Sequence, residues 1–133
     1  MNKIKYFIPS FIMMIIIFCF SHADASASSS TSDGLIAFIS SLLHIQIDSF
    51  VIRKIAHISE YALLTLCLFY GFYKTYKKPY LYSYIGALLY ACSDEFHQLF
   101  INGRNGSLID VGIDSIGMMI MLCLIYTYKK RVE

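Results

Sequence analysis

Residues 55–73, IAHISEYALLTLCLFYGFY, decide the fold of this chain because they combine a membrane-length apolar run with polar groups at one end. His57, Ser59 and Glu60 stand near the start of the run, and only Thr65 follows them among polar aliphatic residues. A helix needs about 20 mostly apolar residues to cross the hydrocarbon core of a bilayer. The stretch therefore predicts a transmembrane helix with ionisable side chains at one end.

Three further apolar runs predict three further helices. The first precedes this stretch and the other two follow it, and the later two also carry polar residues at one end. We expect an all-α polytopic membrane protein with about four transmembrane helices in a small bundle, spanning approximately 6–20, 55–73, 80–100 and 108–128. In the outer loop 21–54, the pattern over Asp33–His44 predicts a short amphipathic helix lying on the membrane surface.

The composition agrees with a single membrane domain over residues 1–133. The chain is 57% hydrophobic and 15% charged, whereas about a quarter of the residues of a soluble domain are charged. Its net charge of +2 gives no argument for nucleic-acid binding. The four cysteines all lie within apolar runs without a CxxC pair, so we expect them to be small buried hydrophobes.

The first apolar run, Tyr6–Phe20, has two interpretations. Lys3 and Lys5 before it, and the pattern Ala25-Ser26-Ala27 after it, are typical of a cleavable signal peptide. The run is equally compatible with a retained first helix followed by a serine-rich outer loop. The residue pattern by itself leaves both open.

The basic residues predict the orientation of the chain. Eight of the eleven lie on one side of a four-span arrangement: Lys3, Lys5, Lys74, Lys77, Lys78, Lys129, Lys130 and Arg131. The positive-inside rule assigns that side to the cytoplasm. We therefore expect a cytoplasmic (inner) membrane protein with both termini in the cytoplasm.

Ten polar residues then gather at the opposite, outward-facing end of the spans. They are Arg53, His57, Glu60, Asp94, Glu95, His97, Gln98, Arg104, Asp110 and Asp114. Spacings of three or four residues place most members of each helix on one helical face. An ionisable group at bilayer depth costs roughly 2.5–3.5 kcal/mol on insertion scales, so these groups should face one another or a water-filled pocket. Gly117 lies on the same helical face as Asp110 and Asp114 and is a position where a neighbouring helix could approach. Ala87 and Ala91 form a pair of small residues that would also allow close helix packing.

Three kinds of chemistry suit such a cluster. Proton transfer or ligation of a divalent metal would fall to the candidate catalytic residues His57, Glu60, Asp94 and His97. An anionic ligand would be held by Arg53, Gln98 and Arg104. Glu95, Asp110 and Asp114 would complete the binding pocket. No motif fixes a particular metal.

Two other interpretations use the same residues. The polar groups could form a structural network that fixes the register of the helices, or a binding site without turnover. Proton or ion transport is less favoured, because the inner halves of the spans, residues 63–72, 81–90 and 118–126, are almost wholly apolar or aromatic.

The spacing of these residues resembles that of a known family. The matching blocks are Arg53-Lys54-x-Ala56-His57-x-x-Glu60-Tyr61, Tyr90-Ala91-x-x-Asp94-Glu95-x-His97-Gln98-x-Phe100-x-x-Gly103-Arg104 and Asp110-Val111-x-x-Asp114-x-x-Gly117. They resemble the VanZ-like family of bacterial membrane proteins over about residues 18–121. The resemblance favours a retained first helix, because the family also begins with an apolar span.

The resemblance implies a link to antibiotic resistance, because the founding member of that family is associated with resistance to the glycopeptide teicoplanin. It does not imply a particular reaction. Together with the outward-facing cluster, it leads us to expect a protein that binds or modifies a cell-envelope lipid or lipid-linked precursor. Whether the chain is an enzyme, and its oligomeric state, stay open at this level.

Overall fold

The computed structural model describes residues 3–22, 34, 38, 41 and 49–132. The elements of this part are a 3₁₀ helix at Lys3–Phe7 and four α-helices: α1 (Ile8–His22), α2 (Ser49–Tyr73), α3 (Pro79–Gln98) and α4 (Leu108–Val132). The all-α fold predicted from the sequence is confirmed. The amphipathic helix predicted over Asp33–His44 lies, apart from single positions, outside the described residues.

Three segments within the described ranges are long and apolar enough to cross a membrane. They are Lys3–His22, Val51–Tyr73 and Leu108–Val132. Helix α3 is not among them, because its polar residues lower its mean hydropathy, although its 20 residues would reach about 30 Å at 1.5 Å per residue. The helical bundle is therefore confirmed with three candidate spans, and a crossing by α3 stays a prediction.

Helix α2 is the centre of the bundle, since its contacts with the other three helices are the most extensive. Its buried face carries Tyr61, Leu64 and Leu68, which meet Ile17 of α1 and Met118 of α4 in one apolar core. Many large apolar side chains outside this core are exposed on the bundle surface. An apolar surface of that extent is unusual on a soluble monomer and indicates contact with lipid.

Small residues set the close approach of the helices. Ala87 and Ala91 of α3 are fully buried. A Cβ atom on Gly117 of α4 would collide with the backbone carbonyl oxygen of Ile58 in α2. Without a hydrophobic effect between helices in lipid, such close backbone packing supplies much of their attraction. The predicted role of Gly117 as an approach point is confirmed.

The two short connections have the turn chemistry that their sequences predict. Pro79 occupies the first turn of α3, where its missing N–H costs no helical hydrogen bond. Between α3 and α4, Gly103 has φ 74°, a conformation that glycine adopts without a steric penalty. A Cβ on Gly106 would collide with the carbonyl oxygen of Glu95, so this glycine lets the loop return across the end of α3.

Several details differ from the sequence-based expectation. Helix α1 continues through Ser21 and His22, α2 begins at Ser49, α3 ends at Gln98 and α4 continues to Val132. The expectation of buried cysteines is wrong for Cys19, Cys92 and Cys123, which are exposed. In a membrane bundle an apolar residue can face lipid as readily as the core, so an apolar neighbourhood does not imply burial.

Two alanine substitutions in α4 test the close approach of α4 to α2. We expect Gly117→Ala to lower the free energy of unfolding by about 1–3 kcal/mol, the usual cost of overpacking. Gly112→Ala is the matched control, because a Cβ at Gly112 meets no atom within 4 Å. It should leave stability unchanged or raise it slightly. Thermal unfolding of both variants in detergent, followed by circular dichroism, would contradict this packing if the two changed stability equally.

Candidate functional site: a polar cluster shared by four helices

Asp94 is the hub of the polar cluster. Its carboxylate is buried in α3, with 4% of the residue exposed. One oxygen, Oδ2, accepts hydrogen bonds from Ser21 Oγ at 2.8 Å, Tyr61 Oη at 3.1 Å and Gln98 Nε2 at 3.3 Å. These donors belong to α1, α2 and α3. A single buried oxygen therefore links three helices.

Glu95 attaches the end of α3 to the start of α4. Its Oε2 accepts a hydrogen bond of 2.9 Å from the backbone N–H of Ser107, and its Oε1 accepts one of 3.4 Å from Gln98 Nε2. Gln98 thus bridges Asp94 and Glu95 through its amide nitrogen. All three side chains are buried. This half of the cluster is well supplied with hydrogen-bond partners.

The second half of the cluster is formed by His57, Glu60 and Asp114. His57 Nδ1 lies 3.4 Å from Glu60 Oε2, within ion-pair range, but the orientation makes no hydrogen bond and the atom is buried without one. Asp114 is 1% exposed, and its Oδ2 also has no hydrogen-bond partner among the described residues. The charges of Asp114 and Asp94 both act on His57. Buried polar atoms lacking partners are uncommon in proteins.

Cations from α2 and the α3–α4 loop lie beside these carboxylates. Lys54 Nζ forms an ion pair of 2.5 Å with Asp110 Oδ1. Arg104 Nη2 donates a 2.9 Å hydrogen bond to the carbonyl oxygen of Phe20, at the end of α1. Burial, and then the positive charge of Arg53, lower the pKa of the Arg104 guanidinium. The two arginines are thus close enough for their charges to interact.

His97 forms a separate aromatic group at the same end of the bundle. Its Nε2 lies 3.1 Å from Nδ1 of His22. The two imidazole rings are stacked, with centroids 5.4 Å apart, and Phe18 lies against His97 at 5.0 Å. This group joins α1 to α3 through rings that are partly exposed.

The structure distributes the ten predicted site residues among these groups. Asp94, Glu95 and Gln98 form the hydrogen-bonded half, while His57, Glu60 and Asp114 form the half with unpartnered atoms. Asp110 pairs with Lys54, Arg53 lies near Arg104, and His97 contacts His22. The charges of Asp94, Glu95 and Glu60 also act on Arg104. The predicted catalytic residues are therefore divided among three groups.

Sequence reasoning missed four contributors to the cluster. Tyr61 could have been found, because it lies four residues after His57 and so shares its helical face. Ser21 and His22 belonged to a segment interpreted as outer loop, where one serine among many carries no signal. Ser107 contributes its backbone N–H, which no side-chain pattern reveals.

Ligation of a divalent metal is one of the chemistries that the residue types predict for the cluster. Within the described ranges, no group of three or more His, Cys, Asp and Glu side chains is arranged to hold a metal ion. The chemistry that the observed groups do offer is hydrogen bonding, charge pairing and proton exchange around His57.

Comparison with known proteins identifies the family. The sequence profile of the VanZ/LLP1 family matches residues 6–129, which include most of each candidate span and every residue of the polar cluster. The chain belongs to this family, and the resemblance noted from its motifs is confirmed. No curated protein matches the chain. No solved structure matches it either.

The hydrogen bonds to Asp94 predict how substitutions there change stability. We expect Asp94→Leu to lower the free energy of unfolding by about 1–3 kcal/mol or more, because it leaves buried donors unpaired. Asp94→Asn should cost less, since its amide oxygen can still accept from Ser21 and Tyr61. Thermal unfolding in detergent compares the two. Equal losses would contradict the role of Asp94 as an acceptor that links helices.

Proposed function

We propose that this VanZ/LLP1-family membrane protein binds the headgroup of a cell-envelope lipid or lipid-linked precursor at the polar cluster. The observation that carries the proposal is a pair of buried atoms without a hydrogen-bond partner among the described residues. They are Asp114 Oδ2 and His57 Nδ1, of which the second keeps its 3.4 Å contact with Glu60 Oε2. Leaving such an atom unsatisfied costs roughly 1–3 kcal/mol. A ligand that supplies a donor to Asp114 and a partner to His57 would recover that cost on binding.

The charges of the cluster favour a headgroup with two kinds of polar group. The charge of Arg53 acts on Arg104, and guanidinium groups bind phosphate or carboxylate oxygens in bidentate fashion. Glu60 and Asp114, in contrast, are carboxylates suited to accept hydrogen bonds from hydroxyl or amine groups. A headgroup that carries both an anionic group and hydroxyl or amine donors matches this pairing.

The surroundings of the cluster favour a ligand with an apolar tail. Three helices are long and apolar enough to cross a membrane, and large apolar side chains are exposed on the bundle surface, as expected for contact with hydrocarbon. A lipid can keep its chain in that environment while its headgroup reaches the cluster. The basic residues favour an outward-facing cluster, so the ligand we propose is an envelope lipid of the outer leaflet.

The contacts suggest a role for each group. We propose that His57 and Asp114 contact the headgroup and that Glu60 orients His57. Arg53 and Arg104 would hold the anionic group, and Asp94, Glu95 and Gln98 would keep the helices in register. His57, in contact with Glu60 and influenced by the charge of Asp114, is suited to proton transfer. Assays for product would decide between binding and turnover.

A structural network is the competing function, and the bonds to Asp94 favour it. Three donors from three helices converge on one oxygen, as expected where polar groups specify helix packing. The unpartnered atoms of His57 and Asp114 do not serve such a network, because unsatisfied groups destabilise it. The two functions therefore make different predictions for these two residues.

The first helix is part of the proposed site. Ser21 and the carbonyl of Phe20 contact Asp94 and Arg104, respectively. We therefore propose that α1 is retained in the functional protein. The founding family member is associated with teicoplanin resistance. For this chain we propose only that it binds the same class of envelope ligand as that protein.

Native mass spectrometry of the protein in mild detergent tests the headgroup site. We expect wild type to carry a lipid-like mass that His57→Ala/Asp114→Asn loses. The matched control is Ser59→Ala/Ser115→Ala, which changes neighbouring positions whose hydroxyls bond only their own helix backbone. The control should keep the bound mass. If α1 is retained, the measured protein mass should also include residues 1–27. Identical spectra for all three proteins would favour the structural network instead.

Cysteine labelling tests the proposed orientation. In a background without native cysteines, Asn105→Cys lies on the exposed α3–α4 loop and Lys130→Cys lies on the exposed end of α4. A membrane-impermeant maleimide added to intact cells should label Asn105→Cys alone, because the basic end faces the cytoplasm. Disruption of the membrane should then allow labelling of both. Labelling of Lys130→Cys alone in intact cells would show that the protein has the opposite orientation and would contradict the proposal.

A further inference from the structure

The basic end of the bundle, far from the polar cluster along the helices, has an apolar groove on its outer surface. The groove lies between α2 and α4 and has a volume of about 490 Å³. Leu66, Tyr70 and Tyr73 line one wall, and Leu124 and Tyr128 line the other. This volume lies within the range of about 300–1,000 Å³ that is common for ligand sites.

A second concavity adjoins the first at the very end of the bundle. It has a volume of about 530 Å³, and its lining includes Lys77, Lys78 and Tyr80. Tyr73 and Lys129 line both concavities, and Lys129 Nζ lies 4.3 Å from the centroid of the Tyr73 ring. The apolar groove thus continues into a basic, tyrosine-rich concavity, and Lys129 lies where the two meet.

Among the described residues, the charge at this end is of a single sign. Every acidic residue within the described ranges belongs to the polar cluster at the opposite end of the bundle. These residues are Glu60, Asp94, Glu95, Asp110 and Asp114. The basic end adds Lys3, whose Nζ lies 6.0 Å from the ring centroid of Tyr76. Tyrosines are typical of the membrane interface, where an apolar ring and a polar hydroxyl are both accommodated.

We propose that this pair of concavities, which we call the basic-end site, binds an anionic diacyl phospholipid. One acyl chain would lie in the α2–α4 groove, and the phosphate would be held by Lys77, Lys78 and Lys129. Basic pockets between membrane helices recognise anionic headgroups in this manner, and the charge complementarity adds to nonspecific attraction by the leaflet. The site uses no residue of the polar cluster, so it is independent of the function proposed above.

Lipid titration of the purified full-length protein, followed by native mass spectrometry, tests the proposal. Phosphatidylglycerol should bind roughly a hundredfold more tightly than phosphatidylcholine with the same acyl chains, since each of the three lysines contributes roughly fivefold to anionic-lipid affinity. Lys77→Gln/Lys78→Gln/Lys129→Gln should abolish this preference. Equal affinity of wild type for the two lipids would overturn the proposal.

The matched control removes the same number of charges from the same end without touching the site. Lys74→Gln/Lys130→Gln/Arg131→Gln alters basic residues that line neither concavity. It should retain most of the preference for phosphatidylglycerol. An equal loss in both triple variants would mean diffuse charge attraction and would overturn a defined site. Lys77→Gln/Lys78→Gln keeps the contact of Lys129 with Tyr73 and serves if the first triple variant does not fold.

Two further measurements test the acyl-chain groove. Leu124 is 57% exposed, so Leu124→Trp should fold normally while filling the groove, and it should weaken phosphatidylglycerol binding with no change of charge. An unchanged affinity would overturn the placement of the chain. Excess glycerol 3-phosphate should not displace the lipid. Displacement would mean recognition of phosphate alone and would overturn a lipid as the occupant.

Discussion

The structure depends on one buried carboxylate that lipid cannot solvate. Asp94 Oδ2 collects donors from α1, α2 and its own helix, and each donor is itself a polar group that hydrocarbon would leave unsatisfied. Moving α1 or α2 relative to α3 would break a hydrogen bond to Asp94 and leave its donor without an acceptor. The carboxylate therefore favours one relative position of three helices that could otherwise slide along their apolar faces. Gly117 completes this arrangement by admitting α4 to the backbone of α2.

A fixed frame of this kind allows neighbouring groups to be held in an unsatisfied state. The hydrogen-bonded half of the cluster has several hydrogen bonds, whereas His57 and Asp114 each keep a buried atom without a hydrogen-bond partner in the described part of the chain. Such atoms persist only where the surrounding packing prevents them from rearranging. The contrast between the two halves separates residues that support the cluster from residues that can meet a ligand. Residue type and spacing assign Asp94 to proton transfer or metal ligation, and that assignment stays a prediction.

Much of the fold could be predicted from the sequence because length and hydropathy dominate in a bilayer. An apolar run such as residues 55–73 has few alternatives to a membrane helix. The same signal reports only the part of a helix that lies in hydrocarbon, so it missed the extension of α2 back to Ser49 and of α4 to Val132. It also could not say which apolar residues face the core. Cys19 and Cys123 have apolar neighbours in sequence and are nevertheless exposed.

The polar cluster was predictable in membership but not in its connections. Spacings of three and four residues gather polar groups on one helical face, and the shared end follows from where those groups stand in each span. Which group satisfies which depends on distances of a few tenths of an ångström between helices that are remote in sequence. Ser21 and Asp94 are 73 residues apart, and nothing local marks that serine. The bundle thus has two chemically opposite ends: carboxylates at one are largely used to hold helices together, whereas lysines at the other lie on grooves of the bundle surface.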